Sequence, residues 1–243
     1  MRIKGKDEWL LTRPIAHRGL HDREAPENSM GAFRKAVEAD YPMELDVHIS
    51  RDGELFIMHD GNIRRMTGVD RKCRDLFSED LDKYRLSGTE YTIPRLKDVL
   101  EMVAGRVPVL IEIKNGNRVG RLERVLHEML QNYPGLVAIE SFDPFAIYYM
   151  KKLSADYCIG QLSEKFRSNR LPRIVKWGLS TCKMNFLTQP DFIAYDISEL
   201  PLDFLRRQRK NGIALLGWTV KDRVDEEFAI KQCDNYIFEN IRP

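Results

Sequence analysis

Short apolar runs alternate with amphipathic stretches along the whole chain, the pattern of βα units repeated around a parallel sheet. Runs at 14–18, 43–49, 107–114, 136–142, 157–162, 192–197, 213–220 and 236–238 read as eight strands. The run at 107–114 is almost continuously apolar, as a strand covered on both faces should be. Helical spacing predicts a helix over Ala32, Phe33, Ala36 and Val37 with Ser29 as its cap. Further helices are predicted over 96–103, closed by Gly105, and over 121–130, 144–153, 202–210 and 224–232, with another inside 172–186. Asp52-Gly53 marks a turn, so residues 55–58 fold back on the second strand as a hairpin partner.

Eight strands, each followed by a helix except the last, predict an α/β chain with a (β/α)8 TIM-barrel fold, one domain over 1–243. Residues 61–92 are polar, basic and of no clear period, too long for an idle connection, and read as a small insertion after the second strand. No G-x-G-x-x-G follows the first strand, which weighs against a doubly wound dinucleotide-binding sheet. The chain stops at Pro243, directly after the last strand, so a final outer helix is missing. The expectation is that residues 3–13, with Trp9, Leu10 and Leu11, or a neighbouring subunit in a homo-oligomer, cover the apolar surface this leaves.

Composition narrows the function. Lys plus Arg number 39 against 37 Asp plus Glu, and the basic residues are dispersed, which argues against a nucleic-acid partner. No apolar stretch reaches the length of a membrane span or of a signal-peptide core, so the expected location is cytoplasmic. Cys73, Cys158, Cys182 and Cys233 show no C-x-x-C spacing and are expected to be free thiols.

The chemistry gathers at strand ends. Side chains two apart on a strand share a face, so Glu44 and Asp46 project together and would repel unless a cation lay between them. A hard divalent ion that prefers oxygen ligands is the simplest candidate. In a barrel, Glu112 and Lys114, His17 and Arg18, His59 and Trp218 come to the same C-terminal mouth. Three carboxylates for a metal, two cations for an anion and two imidazoles for proton transfer suit metal-assisted cleavage of a phosphodiester.

Nine motifs in chain order resemble the glycerophosphodiester phosphodiesterase family. They are A-H-R-G at 16–19, P-E-N-S at 26–29, E-L-D-V-H at 44–48, R-D-G at 51–53, H-D at 59–60, I-P-R-L at 93–96, I-E-I-K at 111–114, S-F-D at 141–143 and W-T-V at 218–220. The resemblance implies one divalent metal, Mg²⁺ or Ca²⁺ with Mn²⁺ as a further candidate, at Glu44, Asp46 and Glu112. It implies His17 and His59 as the acid/base pair, with Arg18 and Lys114 on the phosphate. Trp218 is either core or an apolar wall for the glycerol moiety. The implied reaction converts a small glycerophosphodiester to sn-glycerol 3-phosphate and an alcohol, with attack by water or by the substrate's own 2-hydroxyl. His59 is assigned as base and His17 as acid. Lysophospholipase D or phospholipase D chemistry on a lipid is the alternative, and a non-catalytic barrel scaffold is the third reading.

Other residues carry plainer expectations. His48 shares the parity of the two acids, and Glu27 and Asn28 would position the first loop or brace a metal ligand. Arg64, Arg65, Arg71, Lys72 and Arg74 read as a solvated face, or as a basic surface drawing anions to the mouth. Where the family commonly has Thr, Asn and a threonine-aspartate ending, this chain has Ser29, Lys221-Asp222 and F-E-N-I-R-P.

Overall fold

A computed structural model describes residues 2–116, 118–167 and 171–243. The chain divides into two compact units, Ile15–Val137 and Met1–Pro14 with Ala138–Pro243. Each is built from consecutive βα repeats.

In the unit 15–137, β1 (Ile15–Ala16) and β4 (Val109–Ile113) both run parallel to β2 (Met43–Ile49). The hairpin partner β3 (Leu55–Ile57) runs antiparallel, with Val47 opposite Ile57. The Asp52-Gly53 turn works through side chains as well as backbone. Ser50 Oγ accepts from the Gly53 and Glu54 N–H groups, and Asp52 accepts from the hydroxyl and N–H of Ser78. Two helices run over the residues that their spacing predicts. Ahead of the first of these, Met30–Glu38, Ser29 Oγ accepts the Ala32 N–H at 3.1 Å, so serine caps as threonine would. The other, Leu96–Val103, buries Leu96, Val99, Leu100 and Val103. Arg121–Leu130 follows β4, and Glu123 caps it by accepting the Gly120 N–H.

The insertion at 61–92 is a small core of its own. A four-residue helix, Arg64–Thr67, and 3-10 turns at Cys73–Asp75 and Ser78–Lys83 enclose Ile63, Met66, Cys73, Leu76, Leu81 and Leu86. These pack on Phe56 and Met58 from the β3 arm and on Ile93.

The other unit holds five parallel strands, β5 (Val137–Ser141), β6 (Cys158–Ser163), β7 (Phe192–Asp196), β8 (Ala214–Val220) and β9 (Asn235–Phe238), each hydrogen-bonded to the next. Between them come Pro144–Leu153, the pair Arg173–Ser180 and Asn185–Thr188, Asp203–Lys210 and Arg223–Gln232. The stretch 172–186 breaks into two helices where Cys182 adopts a φ of 52°. Asp222, a departure from the family pattern, is a helix cap: its carboxylate accepts the Asp225 N–H at 2.9 Å.

The expectation for residues 3–13 holds in part. The helix Trp9–Thr12 packs on β9 with Trp9 and Leu10 buried, whereas Leu11 stays half-exposed. Asn235 locks it in place by donating to the Leu10 and Arg13 carbonyls at 3.0 and 2.6 Å. Setting aside the antiparallel β3, the eight parallel strands with their intervening helices are a (β/α)8 barrel fold.

Candidate active site

The acids of β2 and β4 are set by register. Asp46 lies opposite Glu112 and Glu44 opposite Leu110, so strand pairing alone brings the three carboxylates to one place. One oxygen from each of Glu44, Asp46 and Glu112 lies within 4.8 Å of the others, and all three residues are buried. Oxygens bound to one Mg²⁺ or Ca²⁺ stand roughly 4–5 Å apart at most, so this donor set fits a hard divalent ion.

Lys114, two residues beyond Glu112, reaches back between the acids. Its ammonium lies 2.6 Å from Glu112 Oε1 and 3.1 Å from Asp46 Oδ1. Burial alone would lower the Lys114 pKa, but the charges of Asp46 and Glu112 hold it above its usual range. Asp46 is also buried, yet Lys114, His59, Arg18 and the Asn28 amide keep its carboxyl well below the ordinary range. Glu112 goes the other way. Burial raises it, Lys114 opposes, and the neighbouring Asp46 charge raises it further. One acid of the set therefore holds its charge strongly and another holds it weakly.

The loop after β1 closes over these acids. The Arg18 backbone N–H donates to Glu44 Oε2 at 2.9 Å, with Arg18 in the left-handed region at φ 54°. Gly19 also needs that region, at φ 77°, and a Cβ there would lie 2.9 Å from the Ala32 carbonyl carbon, so helix and loop meet only because it is glycine. Asn28 Nδ2 donates to Asp46 Oδ2 at 2.7 Å, which makes Asn28 the brace for that acid. The Arg18 guanidinium lies 2.8 Å from Glu27 and 3.5 Å from Asp46. His17 sits half-buried between β1 and Arg18.

His59 follows β3, with its side chain one-third exposed. Its Nδ1 is 2.7 Å from Asp60 Oδ1, so an Nδ1–H tautomer leaves Nε2 as the acceptor. Burial and the Lys114 charge lower its pKa, which favours the neutral ring. His48 does not join the acids. Its ring stacks on Phe56 with centroids 5.8 Å apart, and burial with Lys114 lowers its pKa to about 4.

Arg65 is exposed, as the solvated-face expectation has it, but its guanidinium is fully engaged. It donates from Nε to Asp60 Oδ2 at 2.6 Å and from both terminal nitrogens to Glu27 at 2.9 and 2.7 Å. One guanidinium of the insertion thereby holds both the carboxylate that orients His59 and the one that pairs with Arg18. Its partners lie 5 and 38 residues away, and no local spacing could have linked them. Arg71 is likewise engaged, with Asp80 at 3.0 Å and the Tyr84 hydroxyl at 2.9 Å. Of the site residues expected from sequence, only Trp218 belongs to the other unit. There its half-buried ring meets Phe142 edge-on at 5.8 Å, and Phe142 in turn meets Phe166 at 5.9 Å.

The chain belongs to the glycerophosphoryl diester phosphodiesterase family, whose model matches residues 17–237, and it is an enzyme of that family. A glycerophosphodiester phosphodiesterase of Caldanaerobacter subterraneus is 29% identical over 233 residues, covering 91% of each chain. A lysophospholipase D of Rattus norvegicus is 36% identical over 141 residues, which is 53% of this chain and 44% of that protein. Among solved structures, an Oleispira antarctica phosphodiesterase in complex with the product sn-glycerol-3-phosphate superposes with a TM-score of 0.81. It is 21% identical and the match covers 94% of this chain and 93% of that one. The Thermotoga maritima glycerophosphodiester phosphodiesterase gives a TM-score of 0.72 at 26% identity, over 92% of each chain.

Proposed function

We propose that the enzyme hydrolyses glycerophosphodiesters to sn-glycerol 3-phosphate and an alcohol in a metal-dependent reaction. The observation that carries this reading is the buried set Glu44, Asp46 and Glu112 with Lys114 bridging two of its members. Those three acids would hold a divalent ion, Mg²⁺ or Ca²⁺, which when bound supplies positive charge opposite the phosphate oxygens.

The protein's own groups do the rest. Arg18 and Lys114 bind the diester's anionic oxygens and stabilise the charge that grows on them in the transition state. His59, held through Nδ1 by Asp60, takes the proton of the attacking hydroxyl or water at Nε2. His17 gives a proton to the departing alcohol oxygen as its P–O bond breaks; attack by water gives sn-glycerol 3-phosphate directly, whereas attack by the substrate's 2-hydroxyl gives a cyclic phosphate that a water then opens to the same product. The four buried free cysteines suit a reducing, cytoplasmic setting.

The lysophospholipase D relative keeps a second substrate class in view, a lysophospholipid cleaved by the same chemistry. The test is a product assay over glycerophosphocholine, glycerophosphoethanolamine and lysophosphatidylcholine. Turnover should vanish with EDTA and return with Mg²⁺, Ca²⁺ or Mn²⁺. Full turnover by metal-free enzyme would sink the mechanism, and a rate confined to the lipid would select the second class.

A further inference from the structure

The two helices between β6 and β7 turn several large apolar side chains outward. The helix Arg173–Ser180 has no buried residue, and Ile174 and Trp177 are 72% and 54% exposed. In the next helix, Asn185–Thr188, Asn185 and Thr188 face inward while Phe186 is 78% exposed. Helices of a folded unit ordinarily bury their apolar stripe, so two short helices that leave theirs exposed call for a partner outside the unit.

Charge identifies the partner. Residues 171–190 carry Arg173, Lys176 and Lys183 and no Asp or Glu. Lys183 Nζ lies 5.3 Å above the Trp177 ring, so one cation and one exposed aromatic are already paired across the break between the two helices. The neighbouring helix Pro144–Leu153 packs on Asn185–Thr188 and repeats the theme, with Phe145 exposed and Lys152 5.3 Å over Tyr148. Long cationic side chains flanking Trp, Phe and Ile are the composition of a helix lying in a membrane interface. A second copy of this chain fits poorly, because a twofold contact through this surface would set its cations against themselves.

We propose that residues 171–190 are a docking surface for an anionic phospholipid bilayer. Ile174, Trp177 and Phe186 enter the boundary between headgroups and acyl chains, and Arg173, Lys176 and Lys183 meet the headgroup phosphates. With three cations and three apolar side chains, binding is peripheral, reversible and sensitive to salt. This surface is independent of the acid cluster and of any particular substrate.

The test is co-sedimentation of the full chain with phosphatidylcholine vesicles, with and without phosphatidylglycerol. Partition into the anionic vesicles should exceed that into neutral ones on the order of tenfold and fall back in high salt. The variant Ile174→Ser/Trp177→Ser/Phe186→Ser and the variant Arg173→Glu/Lys176→Glu/Lys183→Glu should each lose that preference. Both should keep the circular dichroism of the parent and its rate on a water-soluble glycerophosphodiester. Trp177 emission should shift to the blue on anionic vesicles, a change that Trp177→Phe removes. Equal binding by parent and variants, or no binding at all, overturns the proposal. So does self-association that disappears in the apolar variant, since a second copy would then be the occupant.

Discussion

Two segments depart from the plain βα repeat, and they handle apolar residues in opposite ways. The insertion at 61–92 gathers Ile63, Met66, Leu76, Leu81 and Leu86 into a core against β3, and spends a cation, Arg65, on the carboxylates beside His59. The segment 171–190 leaves Ile174, Trp177 and Phe186 in water, and its cations lie among them. Both are short, broken helices, but the insertion mixes acids with its cations whereas 171–190 has cations alone. Burial separates them: one is part of the fold and of the site, and the other is a surface.

That contrast can be broken at several points. The largest effect belongs to His59→Ala, which removes the group standing where the insertion begins. The expected loss in kcat/KM is about 10²–10⁴-fold, with circular dichroism unchanged. Steady-state kinetics on glycerophosphoethanolamine checks it, and a near-parent rate would remove His59 from the reaction.

Leu81 is fully buried in the insertion, so Leu81→Ala should cost about 2–5 kcal/mol, read as a lower urea midpoint. Phe186→Ala, on the contrasting surface, should stay within about 0.5 kcal/mol of the parent. Similar values for the two would abolish the distinction.

Arg65→Ala leaves Asp60 free to turn and His59 without a fixed tautomer. The rate should fall about tenfold with the Tm little changed. Arg65→Lys should rescue little, because one ammonium cannot replace a fork that serves two carboxylates. A rate unaffected in both variants would reduce Arg65 to a surface ion pair.

The smallest effect is at Asp52, which ties the hairpin turn to the insertion. Hydrogen bonds from Ser50 and Ser78 lower its pKa from 3.8 to about 2. Its carboxylate therefore adds stability above the unfolded pKa near 3.9, and that contribution drains away as pH falls towards 2. Asp52→Asn should lower the urea midpoint slightly at pH 7, and the deficit should shrink as pH falls through 2. A deficit that does not shrink between pH 7 and pH 2 would show that the charge is not its source.

How legible each part was follows from how local its cause is. Helices 121–130 and 144–153 begin and end on the residues that their spacing gives, because caps such as Asp143 before Pro144 are written next to the helix they start. The acid pair Glu44 and Asp46 was readable because strand geometry fixes a spacing of two. The insertion was not, since its core residues follow no single period and are collected by tertiary contact. The break at Cys182 was equally hidden, as a left-handed backbone at a cysteine has no sequence signal. The double role of Arg65 was hidden because one of its carboxylates, Glu27, arrives from 38 residues away.

The loop after β1 is cinched at its neck. Asn28 N–H donates to the Arg18 carbonyl at 3.0 Å, and Leu20 N–H to the Ala32 carbonyl at 2.9 Å, so the chain re-enters the helix close to where it left the strand. Inside that ring, Asp22 accepts from Ala25 and Glu24 and from Lys35, a self-contained tie that touches none of the acids. Lengthening a loop whose mouth is already fixed adds little closure entropy. The exposed tip at 22–24 is thus the natural place for this scaffold to gain or lose residues while Arg18, Asn28 and the three carboxylates keep their positions.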